Sequence, residues 1–230
     1  MSYGSRHATC GASGTIPSPS TSGSRTLSHA EGGNSESHAD LPVAARVRRL
    51  EERVVAAGLT TDADLDAYLT KFLERASPMN GARLVARAWT DPAFRERMLA
   101  DGNSAAAELG VGSADPARQG FQLRVVENTA TVHNVVVCTL CSCYPLALLG
   151  PSPSWYKSHA YRARVVREPR VVLAEFGLEL PEELEIAVWD SNSEARYMVL
   201  PRRPDGTADL DDEALTRLVT REGLIGTALV

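Results

Sequence analysis

Apolar residues recur with a helical period only from Leu41 onward. Residues 1–40 are rich in Ser, Gly, Thr and Pro, and after Met1 only Ile16 and Leu27 are large aliphatics. So little apolar surface does not offset the entropy of ordering, which predicts a flexible tail. Val43, Val47, Leu50 and Val54 then share one helical face, and Gly58 stands where a C-terminal cap belongs. Thr61 with Asp64 has the form of a capping box, and Leu65, Tyr68, Leu69 and Phe72 give a second stripe that ends near Pro78. Two short amphipathic helices with no strand nearby predict an arm, residues 41–80, that must cover its apolar stripes on something.

A third helix is expected after Gly81, carrying Leu84, Val85, Ala88 and Trp89, and Asp91-Pro92 starts a fourth as N-cap and first-turn proline. Beyond Gly110 the pattern turns to short β-branched runs, Leu123 to Val126 and Val132 to Val137. An arginine-rich helical segment follows from about Tyr161 to Phe176, broken at Gly177 and Pro181. Glu185 to Asp190 and Arg196 to Leu200 read as strands joined through Ser191-Asn192-Ser193-Glu194 as a hairpin loop. Leu215, Leu218 and Val219 suggest a last short helix. Helices first and strands later make the fold class α+β: a helical arm, then a compact layered domain over residues 81–230.

Composition narrows the function classes. A net charge of −5 leaves no basic footprint for nucleic acid. No apolar run reaches the roughly 20 residues of a membrane span, and no h-region of a secretory signal follows Met1, so a cytoplasmic protein is expected. Lys71 and Lys157 are the only lysines among 24 basic residues, a bias that genome codon usage explains. Three of the five histidines, His7, His29 and His38, and one of the four cysteines, Cys10, fall in the tail. There is no glycine-rich phosphate loop and no Gly-x-Ser-x-Gly elbow.

The chemistry is concentrated where the second β-branched run ends. Cys138, Cys141 and Cys143 crowd into Val-Cys-Thr-Leu-Cys-Ser-Cys-Tyr, a spacing that favours metal or redox chemistry over a disulfide framework. If the backbone turns tightly at small Ser142, the three sulfurs converge, and convergent thiolates select soft or borderline transition metals. A structural zinc site usually brings four ligands as two pairs, and an iron–sulfur cluster needs a fourth cysteine. The remaining coordination positions are open to loop backbone nitrogens, to His133 or His159, or to solvent. A redox Cys-x-x-Cys pair with a bystander is the competing reading.

Val137-Cys138-Thr139-Leu140-Cys141-Ser142-Cys143-Tyr144-Pro145 resembles the metal-binding signature of nitrile hydratase α subunits, which the γ subunit of thiocyanate hydrolase shares. The likeness runs from Ala88-Trp89-Thr90-Asp91-Pro92 through Arg164-Val165-Val166-Arg167-Glu168-Pro169-Arg170 and Val188-Trp189-Asp190-Ser191 to Arg221-Glu222-Gly223-Leu224-Ile225-Gly226. The resemblance implies Cys138 as axial thiolate, Cys141 and Cys143 as equatorial sulfurs, and the backbone nitrogens of Ser142 and Cys143 completing the plane. It further implies sulfinate at Cys141, sulfenate at Cys143, and a low-spin cobalt(III) ion rather than iron, because Thr139 stands where iron-type members tend to have serine. Asp190, Glu194 and Arg196 match family positions near the site, whereas their pattern alone reads as a solvated hairpin. Tyr144 is placed to donate a hydrogen bond into the pocket or to pack. Trp155 and Tyr156 read as core or interface aromatics.

The activity so implied is hydration of a nitrile to its amide, a lyase reaction. Its partner would be a β-type subunit, in one chain or two smaller ones, whose arginines meet the oxidised sulfurs, and a cobalt-insertion accessory protein is a further expected partner. One departure stands out: family members of the cobalt type frequently carry tryptophan just after the proline, where Leu146-Ala147 stands here. A smaller wall there suggests a larger cavity, suited to a bulky or heteroaromatic nitrile. Leu123-Arg124-Val125, Leu173-Ala174-Glu175-Phe176-Gly177 and Asn192 keep the thiocyanate hydrolase γ reading as the alternative. A metal carrier that merely holds an ion is the second alternative.

Overall fold

The computed structural model describes residues 42–230, and the tail expected at 1–40, with Cys10 and its three histidines, lies outside the described residues. The described chain divides into two compact units, 42–75 and 76–230. The first consists of α1 (Pro42–Ala56) and α2 (Asp62–Arg75). Thr61 caps α2 as its spacing predicts: its Oγ accepts from Asp64 N at 3.1 Å and donates to the Asp64 carboxylate at 2.7 Å. The apolar stripes stay uncovered, with Val43, Val47 and Leu50 exposed on α1 and Tyr68, Leu69, Phe72 and Leu73 on α2.

The second unit opens with α3 (Pro78–Thr90), which starts one turn before Gly81 because Ser77 caps it and Pro78 occupies the first turn. Gly81 is inside this helix for a packing reason: a Cβ there would lie 2.8 Å from the Leu148 carbonyl oxygen and 2.8 Å from Leu224. Next come α4 (Pro92–Ala100), α5 (Gly102–Glu108) and α6 (Pro116–Gln119), then β1 (Gln122–Glu127) and β2 (Val132–Val137). Asp91 caps α4 through Phe94 N at 2.9 Å. Buried Asn103 accepts from Leu123 N at 2.6 Å and so seats the start of β1 on α5. After the cysteine loop follow α7 (Leu146–Leu149), a 3-10 turn at Ser154–Lys157, α8 (His159–Arg164), α9 (Pro169–Glu175), β3 (Glu185–Asp190), β4 (Ala195–Leu200), α10 (Asp212–Leu218) and α11 (Arg221–Ile225). No described helix is long and apolar enough to cross a membrane.

Two expectations change. The segment Tyr161 to Phe176 is two helices, because Pro169 lacks the N–H that would continue the first. Arg164 joins them by donating to Glu175 at 2.6 and 2.9 Å and to Glu168. The strands β3 and β4 do not form a hairpin: β2 pairs with β3 and β1 with β4, both in parallel. Between them the chain passes from one strand pair to the other through Ser191, which is buried and accepts from Tyr197 N at 3.3 Å. Asn192 closes this passage by accepting from Glu194 N and Ala195 N.

The core gathers Leu84, Val85, Phe94 and Met98 against Val135 to Val137 and Met198 to Leu200, with Leu224 and Ile225 closing it. Beside it lies a buried polar knot. His133 Nε2 meets the Gly226 carbonyl at 2.8 Å, its Nδ1 meets Asn128 at 3.2 Å, and Asn128 accepts from Asn134 N at 2.7 Å. Burial lowers the His133 pKa, opposed by the bond to Gly226, so the ring is held neutral in the neutral pH range. Gly226 adopts φ 90°, and a Cβ would fall 1.9 Å from the Asn134 oxygen. Gly226→Ala is therefore expected to destabilise the 76–230 unit by about 3 kcal/mol or more, from left-handed strain plus a backbone clash. Gly177→Ala, at φ 84° in open space, should cost only about 1 kcal/mol. Urea denaturation of both variants checks the difference.

Candidate metal centre

The loop begins where β2 ends. Val137 is paired with Asp190, the last residue of β3, so Asp190 stands beside the first residues after the strand. Its carboxylate accepts from Thr139 N at 2.9 Å and from the Thr139 hydroxyl at 2.6 Å. The chain then turns back so that Cys141 N donates to Cys138 Sγ at 3.3 Å. Cys138 Sγ lies 3.4 Å from Cys141 Sγ, which lies 3.3 Å from Cys143 Sγ, and all three sulfurs are within 4.8 Å of one another. They are free thiols. Among the described residues no non-glycine has positive φ, so this tight turn uses ordinary backbone.

Such a turn needs holding from outside, and several elements do so. Tyr156, in the 3-10 turn, donates to the Cys143 carbonyl at 3.1 Å, and Arg162, on α8, donates to the Cys141 carbonyl at 3.1 Å. Arg196, on β4, donates to the Tyr144 carbonyl at 2.8 Å while its guanidinium covers the Phe121 ring at 4.2 Å. Under the loop Tyr161 donates to the Val136 carbonyl at 2.6 Å, and Trp155 fills the space between Tyr161 and Phe176 at 4.9 and 4.7 Å. Burial keeps the Tyr156 and Tyr161 phenols far above their ordinary pKa, so both remain hydrogen-bond donors.

Electrostatics separate the three thiols. Cys141 is exposed and its pKa is drawn down to about 7, first by the Cys143 thiol, then by the Cys138 thiol and the backbone N–H groups of Ser142 and Cys143. Cys143 is pushed up to about 12, first by burial and then by donating to Cys141 beside other thiol charge. One thiolate therefore forms easily and a second is resisted by the first. A multivalent cation removes that conflict, and three sulfurs with two amide nitrogens turned toward them form a donor set for a soft or borderline transition metal.

The other residues singled out from sequence fall as follows. Asp190 touches the loop directly, Ser142 lies exposed within it, and Arg196 reaches it through the Tyr144 carbonyl. The Tyr144 side chain is buried, with its ring 5.0 Å from Tyr156 and its hydroxyl 3.5 Å from the Leu149 oxygen. Glu194 is exposed, and its hydrogen bonds are main-chain ones, from its N–H to Asn192 and from Gln122 N to its carbonyl. His133 and His159 are outside the sulfur cluster. His133 is engaged at both nitrogens, and His159 Nδ1 meets Arg162 at 3.2 Å. Sequence reasoning did not single out Arg162 or Tyr161. Their partners lie 21 and 25 residues away in the chain, and the only local signal was an arginine-rich helix.

Comparison with known proteins bears on the same segment. The family model described as nitrile hydratase, alpha chain, matches residues 41–228. The low-molecular weight cobalt-containing nitrile hydratase subunit alpha of Rhodococcus rhodochrous is 50% identical over 187 residues, 81% of this chain and 88% of that one. The thiocyanate hydrolase subunit gamma of Thiobacillus thioparus is 47% identical over 165 residues, 69% of this chain and 68% of that one. In structure the chain is similar to a double mutant of the Fe-type nitrile hydratase of Comamonas testosteroni Ni1. The TM-score is 0.74 at 42% identity, covering 81% of this chain and 89% of that one. With its cysteine loop inside the matched span, this chain belongs to the nitrile hydratase alpha chain family.

Proposed function

We propose that this chain is the metal-binding catalytic subunit of a cobalt nitrile hydratase, with a β-type subunit as partner. The observation that carries the reading is the convergence of Cys138, Cys141 and Cys143 within 4.8 Å, in a chain half identical to cobalt-containing alpha subunits. The Sγ atoms of these residues and the backbone nitrogens of Ser142 and Cys143 would hold the ion. A bound cobalt(III) supplies Lewis acidity and a lower pKa for water, which a weakly electrophilic nitrile carbon requires. Thr139 supports cobalt over iron, although iron-type relatives share the fold.

The surrounding residues have separate tasks. Thiol oxidation follows exposure as well as thiolate character, and in exposure the three cysteines are graded. Cys141 is exposed with the lowered pKa, Cys143 is half-buried, and Cys138 is buried. That gradient supports sulfinate at Cys141, sulfenate at Cys143 and an unmodified Cys138. Asp190 fixes the entry to the loop through Thr139, and Tyr156 and Arg196 fix its exit. Glu194, on the exposed passage between β3 and β4, would order water or the partner chain. Half-buried Leu146 and Ala147, in place of a large ring, support a bulky or heteroaromatic nitrile. Thiocyanate hydrolysis is the second reading, favoured by the γ-subunit relative, but that match covers 69% of this chain against 81% for the α subunit.

The arm follows from the same reading. Residues 41–80 carry exposed apolar stripes on α1 and α2, and helices this short gain most of their stability from packing. We assign them to the partner subunit, which would also bring cations to the oxidised sulfurs, because a buried unpaired anion is costly.

The purified complex should convert acetonitrile and heteroaromatic nitriles to amides, with higher kcat/KM for the latter. Release of carbonyl sulfide from thiocyanate, with no amide from nitriles, would establish the alternative. Protein produced with cobalt should hold about one cobalt per chain through prolonged chelator dialysis, which a carrier would not. Peptide mass spectrometry should find added oxygen on Cys141 and Cys143 only, and Cys143→Ala should abolish turnover. Removing residues 1–40 should leave assembly unchanged by light scattering, whereas removing residues 1–78 should weaken it and lower turnover more than cobalt content.

A further inference from the structure

The loop's donor set depends on peptide orientation as well as on sulfur positions. Ser142 nitrogen belongs to the peptide unit whose oxygen is the Cys141 carbonyl. That unit is planar and trans, so its C=O and N–H point in opposite directions. Arg162 Nη1 holds the carbonyl at 3.1 Å, and the opposed N–H of Ser142 is turned toward the Cys141 sulfur. Leu140, Cys141 and Ser142 are themselves exposed, Leu140 at 86%, and Thr139 is half-buried, so little packing holds the plane of this peptide.

Arg162 is itself constrained. Its Nη2 lies 3.2 Å from His159 Nδ1, and its Nε is buried with no hydrogen-bond partner among the described residues. A buried N–H without an acceptor is unfavourable. The side chain holds this place while leaving one donor unmatched.

We propose that Arg162 is a positioning residue of the metal centre, fixing the 141–142 peptide plane so that the Ser142 nitrogen faces the claw. His159 steadies the other arm of the guanidinium. The inference rests on the reading of the loop as a cobalt site with backbone nitrogen ligands. The other clamps differ: Tyr156 holds the carbonyl preceding Tyr144 N, and Arg196 the carbonyl preceding Pro145, which has no N–H. Neither of those nitrogens belongs to the proposed donor set.

The test uses the complete complex produced with cobalt, as wild type, Arg162→Met, Arg162→Lys and Tyr156→Phe. Cobalt content, the visible sulfur-to-metal absorption band and the rate of cobalt loss to EDTA are measured on each, with near-UV circular dichroism reporting the fold. Arg162→Met should keep the fold, shift the band and lose cobalt at least about tenfold faster, the scale of losing a residue that orients a ligand. Arg162→Lys, which can still donate to the carbonyl, should recover the wild-type band in part. Tyr156→Phe, which frees the Cys143 carbonyl and not the 141–142 peptide, should shift the band and speed cobalt loss less than Arg162→Met. A wild-type band and loss rate in Arg162→Met would overturn the inference while leaving the cobalt site standing. If Arg162→Met does not fold, a smaller band shift and slower cobalt loss in Tyr156→Phe than in Arg162→Lys support the inference, and equal or larger effects in Tyr156→Phe overturn it. Wild-type protein without cobalt would instead overturn the metal reading and the inference with it.

Discussion

Three sulfurs within 4.8 Å of one another concentrate more potential negative charge than a short loop can stabilise alone. The chain's first answer is unequal protonation, with Cys141 drawn down to about 7 and Cys143 pushed up to about 12. Its second is to turn amide N–H groups toward the exposed sulfur. Both are partial, and a cation is what lets all three act as thiolates together. The loop's geometry therefore has to exist before the ion arrives, and ordinary backbone dihedrals do not enforce it. Side chains from the 3-10 turn, α8, β3 and β4 do.

That requirement accounts for the arrangement of the strands. Pairing β2 with β3 in parallel puts both C-terminal ends at one level, so Asp190 meets the loop at its first residues. Pairing β4 with β1 carries Arg196 to the loop's exit. A β3–β4 hairpin would have left these two residues on one ribbon, with the loop reached from one side only. The break between α8 and α9 serves the same end. Pro169 ends the first helix and the Arg164–Glu175 bonds fold the second back, so Tyr161 and Phe176 close on Trp155 beneath the loop.

Much of this was legible in the sequence wherever the cause is local. The claw is one such case, because three cysteines in six residues limit what the chain can build there. The caps at Thr61 and Asp91 and the apolar stripes of the first helices are others, each set by neighbours within a turn. Strand partnership was not legible, since parallel pairing joins segments about 50 to 70 residues apart and leaves no mark on either strand. Alternation at Ser191 to Glu194 imitated a hairpin because Asn192 closes a turn there in either topology. Arg162 was hidden for a related reason: its partner is a backbone carbonyl, and a carbonyl has no residue identity to read.

The arginine bias takes on physical meaning at this point. Whatever its origin, it supplies a side chain whose several donors, fixed in a plane, can hold more than one carbonyl at once. Arg170 donates to the carbonyls of Leu180, Pro181 and Leu184, and Arg203 to those of Trp89, Thr207 and Ala208. Each gathers chain that lacks regular structure, Arg203 by tying residues 207–208 to the end of α3, and that chain would otherwise need buried apolar area to stay in place. Arg162 and Arg196 do the same to the cysteine loop, with one loop carbonyl each and an Nε unmatched among the described residues. A lysine at either position is a point donor that fixes distance but not the plane of the peptide it holds. For a loop whose backbone nitrogens are read as ligands, the plane is the quantity that matters.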